Sequence, residues 1–304
     1  MTGHATGGRS RPEPPPAAVF EDVIRRALAE DLGTAGDLST TASIGAEVRA
    51  SGRVVARQPG CIAGIGAAAL VVERVAGGVA GSAVDVSVEV ADGDRVEAGT
   101  TLLSVTGSAR TILTAERTAL NLLGHLSGIA TATAAAVDVV VATDARIADT
   151  RKTTPGLRAV EKYAVRCGGG LNHRLGLDDA AMLKENHLAW SGGVAPALAA
   201  VRAQAPWPAR VIVEAETEAE ALAAVRAGAD GVLLDGFSPG QLVELVPRLR
   251  ELAAGAPVVL EASGVDPQEL RACAASGVDL ISTSAPVTRA PWLDLSMRFS
   301  LPLA

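Results

Sequence analysis

Residues 209–264 read ARVIVEAETEAEALAAVRAGADGVLLDGFSPGQLVELVPRLRELAAGAPVVLEASG. Three short apolar runs, ARVIVEAE, ADGVLLDG and APVVLEASG, each end in a polar or charged residue. Between them lie EAEALAAVRAG and PGQLVELVPRLRELAAG, whose apolar residues recur at helical spacing. Strands alternating with helices predict βα units and a parallel sheet. The same rhythm appears upstream in ARIADTRK (145–152) and downstream in VDLISTSAP (278–286). At this spacing a barrel is favoured over an open sheet. A βα barrel gathers its active site at the carboxyl ends of its strands. Those ends carry Asp149, Arg151 and Lys152, then Glu214, Asp235, Glu261 with Ser263, and Ser282. Charged residues also simply begin loops, but acids or bases at four successive strand ends favour a shared pocket.

The first half of the chain has a different pattern. Helical periodicity covers AVFEDVIRRALAEDL from Ala18, and Gly33 and Gly36 end it. From Val48 to Ser108 short strands and glycine turns follow, with one helix, GAAALVVERVAG, among them. The Asp92-Gly93 pair is a turn or hairpin signal. This block predicts a separate α+β unit. TILTAERTALNLLGHL then reads as an amphipathic helix, which Ser127-Gly128 is expected to break before a second helix, IATATAAAVDVV.

Bulk properties agree with two domains. The chain has 304 residues, and domains run at roughly 100–200 residues each. Aromatic residues make up only 2%, so alanine, valine and leucine must fill the core, as suits helices on a buried parallel sheet. The net charge of −7 argues against a nucleic-acid partner. An anionic substrate would then need a local basic pocket. Cys61, Cys167 and Cys273 are far apart and form no CxxC, so neither a zinc site nor a disulfide framework is indicated. The opening MTGHATGGRSRPEPPP lacks the apolar core of a signal peptide and reads as a disordered tail over 1–16. No apolar run is seen that approaches the ~20 residues of a membrane span. No membrane partner and a cytoplasmic location are therefore expected. Neither GxGxxG nor GxxxxGK[ST] occurs.

Cations concentrate in one region. DTRKTTPGLR (149–158) supplies Arg151, Lys152 and Arg158; KYAVRCGGGLNHRLGLDDAAMLKENH (162–187) adds Arg166, His173, Arg174 and Lys184. Arginine forks grip carboxylates and phosphates bidentately, and lysine adds point charge. The spacing does not make a single helical stripe, so an anion site is favoured over a solvated basic face. Glu214 and Asp235 lie one βα unit apart. Such carboxylates suit Mg²⁺ together with substrate phosphates, ribose hydroxyls or a cationic sugar; salt bridges to the pocket bases are the plainer role. His125 and His187 read as structural, and Cys167 as a buried apolar residue.

These strings resemble the quinolinate phosphoribosyltransferase family. EDLGTAGDLST (30–40), ERTALNLLGHLSGIAT (116–131), DTRKTTPGLR, KYAV, GGGLNHRLGL (168–177) and LKENH (183–187) match its motifs almost letter for letter. The resemblance implies a type II phosphoribosyltransferase. Its fold would be an N-terminal α/β open-faced sandwich over 17–128 and an incomplete, seven-stranded type of β/α barrel over 129–288. A segment over 289–304 would return to the first domain. The implied reaction transfers the phosphoribosyl group of phosphoribosyl pyrophosphate to quinolinate with decarboxylation, within NAD biosynthesis. The implied assembly is a homodimer whose active sites are shared between subunits.

Carried over by motif, Arg117 resembles the arginine that reaches into the partner's site. Arg151, His173 and Arg174 resemble further ligands of the dicarboxylate. Lys152 and Lys184 resemble the lysines that bind the two substrates. Glu214 and Asp235 resemble the acids around ribose and Mg²⁺, and Lys152, Glu214 and Asp235 take the catalytic roles. Ser263, Gly264 and Ser284 fall where the 5′-phosphate is expected. Here the chain departs from the family pattern, with Leu234-Asp235-Gly236 for LDN and Ser263-Gly264-Val265 for SGG. Ser284-Ala285-Pro286 and the FSP at 237–239 resemble a molybdenum-transport-associated paralogue instead. The alternatives are thus a paralogous transferase acting on another aromatic carboxylate, or a relative of that paralogue without this activity.

Overall fold

The computed structural model describes residues 12–78 and 83–300. The expected tail therefore lies largely outside the described residues, and Pro12–Pro16 carry no regular structure. In chain order the elements begin with α1 (Ala17–Leu32), α2 (Leu38–Ser43), β1 (Arg49–Ala56), β2 (Gly60–Cys61) and α3 (Ile65–Gly77). Next come β3 (Val84–Val88), β4 (Arg95–Val96), β5 (Thr101–Ser108), α4 (Ala109–Val140), β6 (Arg146–Ala148) and α5 (Arg158–Cys167). They continue with β7 (Ala181–Leu183), α6 (Glu185–Trp190), α7 (Val194–Gln204), β8 (Val211–Ala215), α8 (Glu218–Arg226) and β9 (Gly231–Asp235). The last are α9 (Pro239–Ala253), β10 (Val259–Ser263), α10 (Leu270–Ala274), β11 (Leu280–Ser282), α11 (Ala285–Thr288) and β12 (Leu295–Ser300).

These elements form two compact units. The first comprises 1–131, 159–169 and 291–304; the second comprises 132–158 and 170–290. In the first, an antiparallel sheet runs in the order β12-β1-β5-β3. The late strand β12 pairs with β1 from Ser51↔Ser300 to Ala56↔Leu295. Ile24, Val54, Val71, Val72, Leu102, Ile112 and Leu123 build its core. Asp92 and Gly93 do form a turn, with Gly93 at φ +90°. The strands it joins are not paired with each other, since β4 pairs with β2. Helix α5 belongs to this unit through buried side chains. Tyr163 donates to Asp92 Oδ2 at 2.8 Å, and Glu161 Oε1 lies 2.9 Å from His125 Nε2.

Helix α4 is continuous over Ala109–Val140, so the break expected at Ser127-Gly128 does not occur. The glycines there serve packing. A Cβ on Gly128 would stand 2.2 Å from the Pro291 carbonyl oxygen, and one on Gly124 would stand 3.1 Å from that of Leu293. The close approach lets the Leu293 N–H donate to the Gly124 carbonyl at 2.9 Å. Ser127 is fully buried, and its hydroxyl accepts from the Ala63 N–H at 3.1 Å. By length and composition α4 is apolar enough to cross a membrane, contrary to the expectation that no run would be. Its most apolar window is 67% buried within the protein, which is the pattern of a core helix.

In the second unit six parallel strands run in the order β6-β11-β10-β9-β8-β7. Sequence neighbours are sheet neighbours from β7 to β11, and β11 then closes back onto β6. The free edge of β6 carries one further parallel bridge, Ala148↔Leu171, in which the Leu171 N–H donates to Ile147 and its carbonyl accepts from Asp149. The seventh strand of the expected barrel is thus reduced to a single residue. Capping boxes start the crossover helices, Thr217 with Glu220 for α8 and Ser238 with Gln241 for α9, which satisfies backbone N–H groups that a helix start leaves open.

The packing at α4 yields a stability prediction. Gly128→Ala forces Pro291 away and is expected to cost roughly 1–3 kcal/mol. Gly66→Ala, in α3 with open space around the added methyl, is expected to be neutral or to gain up to about 1 kcal/mol. Urea unfolding of the two variants beside the parent chain measures both.

Candidate active site

Side-chain alternation decides what the second unit presents at its strand ends. Val211, Val213 and Ala215 of β8, Val232 and Leu234 of β9, Leu260 and Ala262 of β10, and Ile281 of β11 all belong to the apolar core. Their intervening neighbours face the other way: Glu214, Asp235, Glu261 with Ser263, and Ser282. Leu183 of β7 is likewise in the core, so Lys184, the next residue, points to the opposite face. Because the strands are parallel, these residues collect at one end of one face. Contacts across strands bear this out. The Lys184 ammonium pairs with the Glu214 carboxylate, and the His173 ring reaches Glu261.

The loops that follow β6 and Leu171 add the remaining charges. Asp149, buried just past β6, accepts from Asn172 Nδ2 at 2.6 Å and from the His173 N–H at 2.8 Å. It thereby ties the NHR segment to the start of the DTRK segment. Arg158 adds a second tether, donating to Thr153 Oγ1 at 3.0 Å and to the Leu175 carbonyl at 3.2 Å. Arg174 donates to the Ala180 carbonyl at 3.1 Å. Burial holds its guanidinium below the usual arginine pKa, and the like charge of Arg151 pushes the same way; Asp179 and Glu214 oppose the shift. Arg151 Nε is buried without a hydrogen-bond partner. Arg174 thus feels the like charge of Arg151, and Arg151 Nε is a buried donor that an anionic ligand could meet. Lys152 is exposed beside them, its backbone N–H held by Thr150 Oγ1 at 3.0 Å.

The acids form a second group. Glu185, Glu214 and Glu216 each place a carboxylate oxygen within 4.8 Å of the others. Asp235 instead lies over the next turn. The Gly236 N–H donates to the Ser263 carbonyl at 3.1 Å, and a Cβ on Gly264 would stand 3.3 Å from Asp235 Oδ1 and 3.2 Å from Gly236 N. Both glycines have φ +73°. Gly264 is required twice, by its left-handed backbone and by the close approach. At Gly236 no atom lies within 4 Å of an added Cβ, and asparagine is the side chain that best tolerates such a φ. Glycine for asparagine in the LDN pattern therefore keeps the backbone conformation. Val265 packs against the apolar core, and Ser284 caps α11 with its carbonyl accepting from Val287 and Thr288.

The structure thus brings Arg151, Lys152, His173, Arg174, Lys184, Glu214, Asp235, Ser263, Gly264 and Ser284 to one set of strand ends and following loops. Arg117 is in the first unit, exposed on α4. His125 and His187 are structural: His125 pairs with buried Glu161, and His187 Nδ1 accepts the Lys184 N–H at 3.0 Å. The Cys167 thiol is buried, and burial, with the nearby Asp92 charge, pushes its pKa up, so it stays protonated. Asn172 was not singled out in the sequence. Glu261 was noted as a strand-end acid but given no role, although its position two residues before Ser263 puts both on one face of β10.

Comparison with known proteins agrees with this architecture. The quinolinate phosphoribosyl transferase N-terminal domain matches residues 37–127, and the C-terminal domain of the same family matches 129–298. The chain is 45% identical over 277 residues to a carboxylating nicotinate-nucleotide pyrophosphorylase of Mycobacterium leprae, covering 91% of this chain and 95% of that protein. It is 34% identical to quinolinate phosphoribosyltransferase [decarboxylating] 1 of Nicotiana glauca, over 97% of this chain and 86% of that one. Among solved structures, the nicotinate-nucleotide pyrophosphorylase of Francisella tularensis superimposes with a TM-score of 0.87 at 33% identity, covering 96% of this chain and all of its own. NadC from Streptococcus pyogenes gives 0.86 at 38% identity, covering 95% and 98%. The chain belongs to the quinolinate phosphoribosyltransferase family.

Proposed function

We propose that this protein transfers the phosphoribosyl group of phosphoribosyl pyrophosphate to the ring nitrogen of quinolinate, releasing pyrophosphate and CO₂ and leaving nicotinate mononucleotide. The observation that carries the reading is the placement of Arg151 and Arg174 at the strand ends, with the Arg174 guanidinium feeling the charge of Arg151 and Arg151 Nε buried without a hydrogen-bond partner. A planar dicarboxylate matches two guanidinium forks. The alternatives, a transferase for another aromatic carboxylate or a molybdenum-transport-associated relative, rest on Gly236, Val265, Ser284–Pro286 and the FSP at 237–239. The first two of these are accommodated by the backbone and core without altering the rim.

In this scheme Arg151 and Arg174 hold quinolinate, with Arg117 of the partner subunit closing the site in a homodimer. Lys152 and Lys184 bind phosphate and carboxylate oxygens. Ser263, Gly264 and Ser284 receive the 5′-phosphate on backbone donors and hydroxyls. As the bond from the anomeric carbon to pyrophosphate breaks, positive charge develops on the ribose, and Glu214 and Asp235 stabilise it electrostatically. The new bond to nitrogen leaves the pyridine ring cationic. The adjacent carboxylate then departs as CO₂, its electron pair staying on the ring carbon beside the cationic nitrogen, and that carbon takes up a proton from solvent to give the C–H of the product. Positioning and charge do most of the work, since no covalent intermediate with the enzyme is required.

Glu214 and Asp235 are hard oxygen donors on neighbouring strand ends, a fit for Mg²⁺, which takes one or two carboxylates plus substrate phosphates. When bound, the ion neutralises pyrophosphate charge. A cytoplasmic location, with no nucleic-acid or membrane partner, belongs to the same proposal; the net charge of −7 argues against a nucleic-acid partner, and the most apolar window of α4 is 67% buried within the protein.

Purified protein supplied with both substrates and Mg²⁺ is expected to release CO₂ and pyrophosphate in equal amounts, and chelation of the metal to stop it. A substrate panel in which another carboxylate is strongly preferred would favour the alternative transferase. The shared site has its own test. Arg117→Ala and Lys152→Ala are each expected to be inactive and folded, while verified heterodimers of the two recover roughly half of the parent activity, because one complete site re-forms. Heterodimers with no recovery would contradict the shared site.

A further inference from the structure

The environment of His173 gives a role to Glu261, one that rests on the reading above. The ring of His173 has both nitrogens engaged inside the protein. Nδ1 accepts the backbone N–H of Arg174 at 2.7 Å, so that nitrogen carries no proton. Nε2 lies 3.2 Å from Glu261 Oε2 and is therefore the protonated nitrogen, donating to the carboxylate. The two side chains are only 9% and 4% exposed, which leaves little of the ring to meet a ligand. Glu261 is rooted in the middle of β10, with Leu233 on one side and Leu280 on the other. A buried carboxylate between two leucines is costly unless it is paired and hydrogen-bonded, and here the partner is the His173 ring. Its second oxygen, Oε1, is buried with no hydrogen-bond partner, so the carboxylate is not part of a fully satisfied core network.

We propose that Glu261 is a positioning residue for the dicarboxylate. Its carboxylate fixes the Nε2–H tautomer of His173, and the bare Nδ1 then holds the Arg174 backbone. Asp149 holds the same segment from the other side by accepting from Asn172 and the His173 N–H. The Arg174 side chain thereby leaves the loop in one direction, beside Arg151. His173 serves quinolinate through Arg174, and Glu261 serves it through His173. Ligand-orienting partners of this kind change affinity when removed, because the orientation they impose is lost while the charge they serve remains.

The test combines kinetics with a measurement that needs no substrate. Long-range ¹⁵N correlation spectra of the four histidines are expected to show His173 as the Nε2–H tautomer in the parent chain and a mixture in Glu261→Ala. In Glu261→Ala the KM for quinolinate is expected to rise roughly tenfold or more, with the KM for phosphoribosyl pyrophosphate within about twofold of the parent. Glu261→Gln, which keeps an acceptor for Nε2–H, is expected to recover most of the loss and guards against a folding failure of the alanine variant. Glu261→Ala combined with His173→Ala is expected to be no worse than His173→Ala alone, since the two act in series. The inference is overturned if the parent spectra place the proton on Nδ1, if both KM values move together, or if the double variant multiplies the single losses. Absence of turnover in the parent chain would count against the proposed reaction, and the tautomer spectra would still decide the role of Glu261.

Discussion

Alternation of side chains along six parallel strands is the constraint on which the site depends. A parallel strand buried under helices must give every second residue to the core, and here those residues are aliphatic without exception at the strand ends of β8, β9 and β10. The residues between them are then forced to the opposite face, where Lys184, Glu214, Asp235, Glu261 and Ser263 meet. No loop has to reach far to assemble them. What the loops add is a pair of arginines, placed by Asp149 and by the single-residue bridge at Leu171. An acidic chain thereby concentrates positive charge at one place, which a chain-wide negative field would otherwise work against.

Much of this was legible in the sequence because it rests on local periodicity. The runs ending at Glu214, Asp235 and Ser263 became β8, β9 and β10, and the helical stretches between them became α8 and α9. Three features were not legible, for different reasons. Ser127-Gly128 reads as a helix breaker because sequence does not reveal that a distant segment, Pro291–Leu293, needs the space a missing Cβ provides. Leu171 could not be identified as the remaining strand beside β6, since a single bridged residue has no periodicity. Glu261 was visible as a strand-end acid, but its partner lies 88 positions away, and only the fold brings them together.

The departures from the family pattern have a common physical character. Gly236 keeps the left-handed conformation that asparagine would also take, Val265 adds to the core, and Ser284 acts through its backbone at the start of α11. Gly264, the position where an added Cβ would strike both the Asp235 carboxylate and the Gly236 amide, is retained.

In the proposed reaction Arg151 and Arg174 form one receptor for a planar dicarboxylate at these strand ends. A crystal structure with quinolinate bound tests it most directly. The two carboxylates of the ligand are expected to be engaged by the Arg151 and Arg174 guanidinium groups, on the face shared by Lys184 and Glu214. Quinolinate bound elsewhere, with both guanidinium groups turned to solvent, would contradict it.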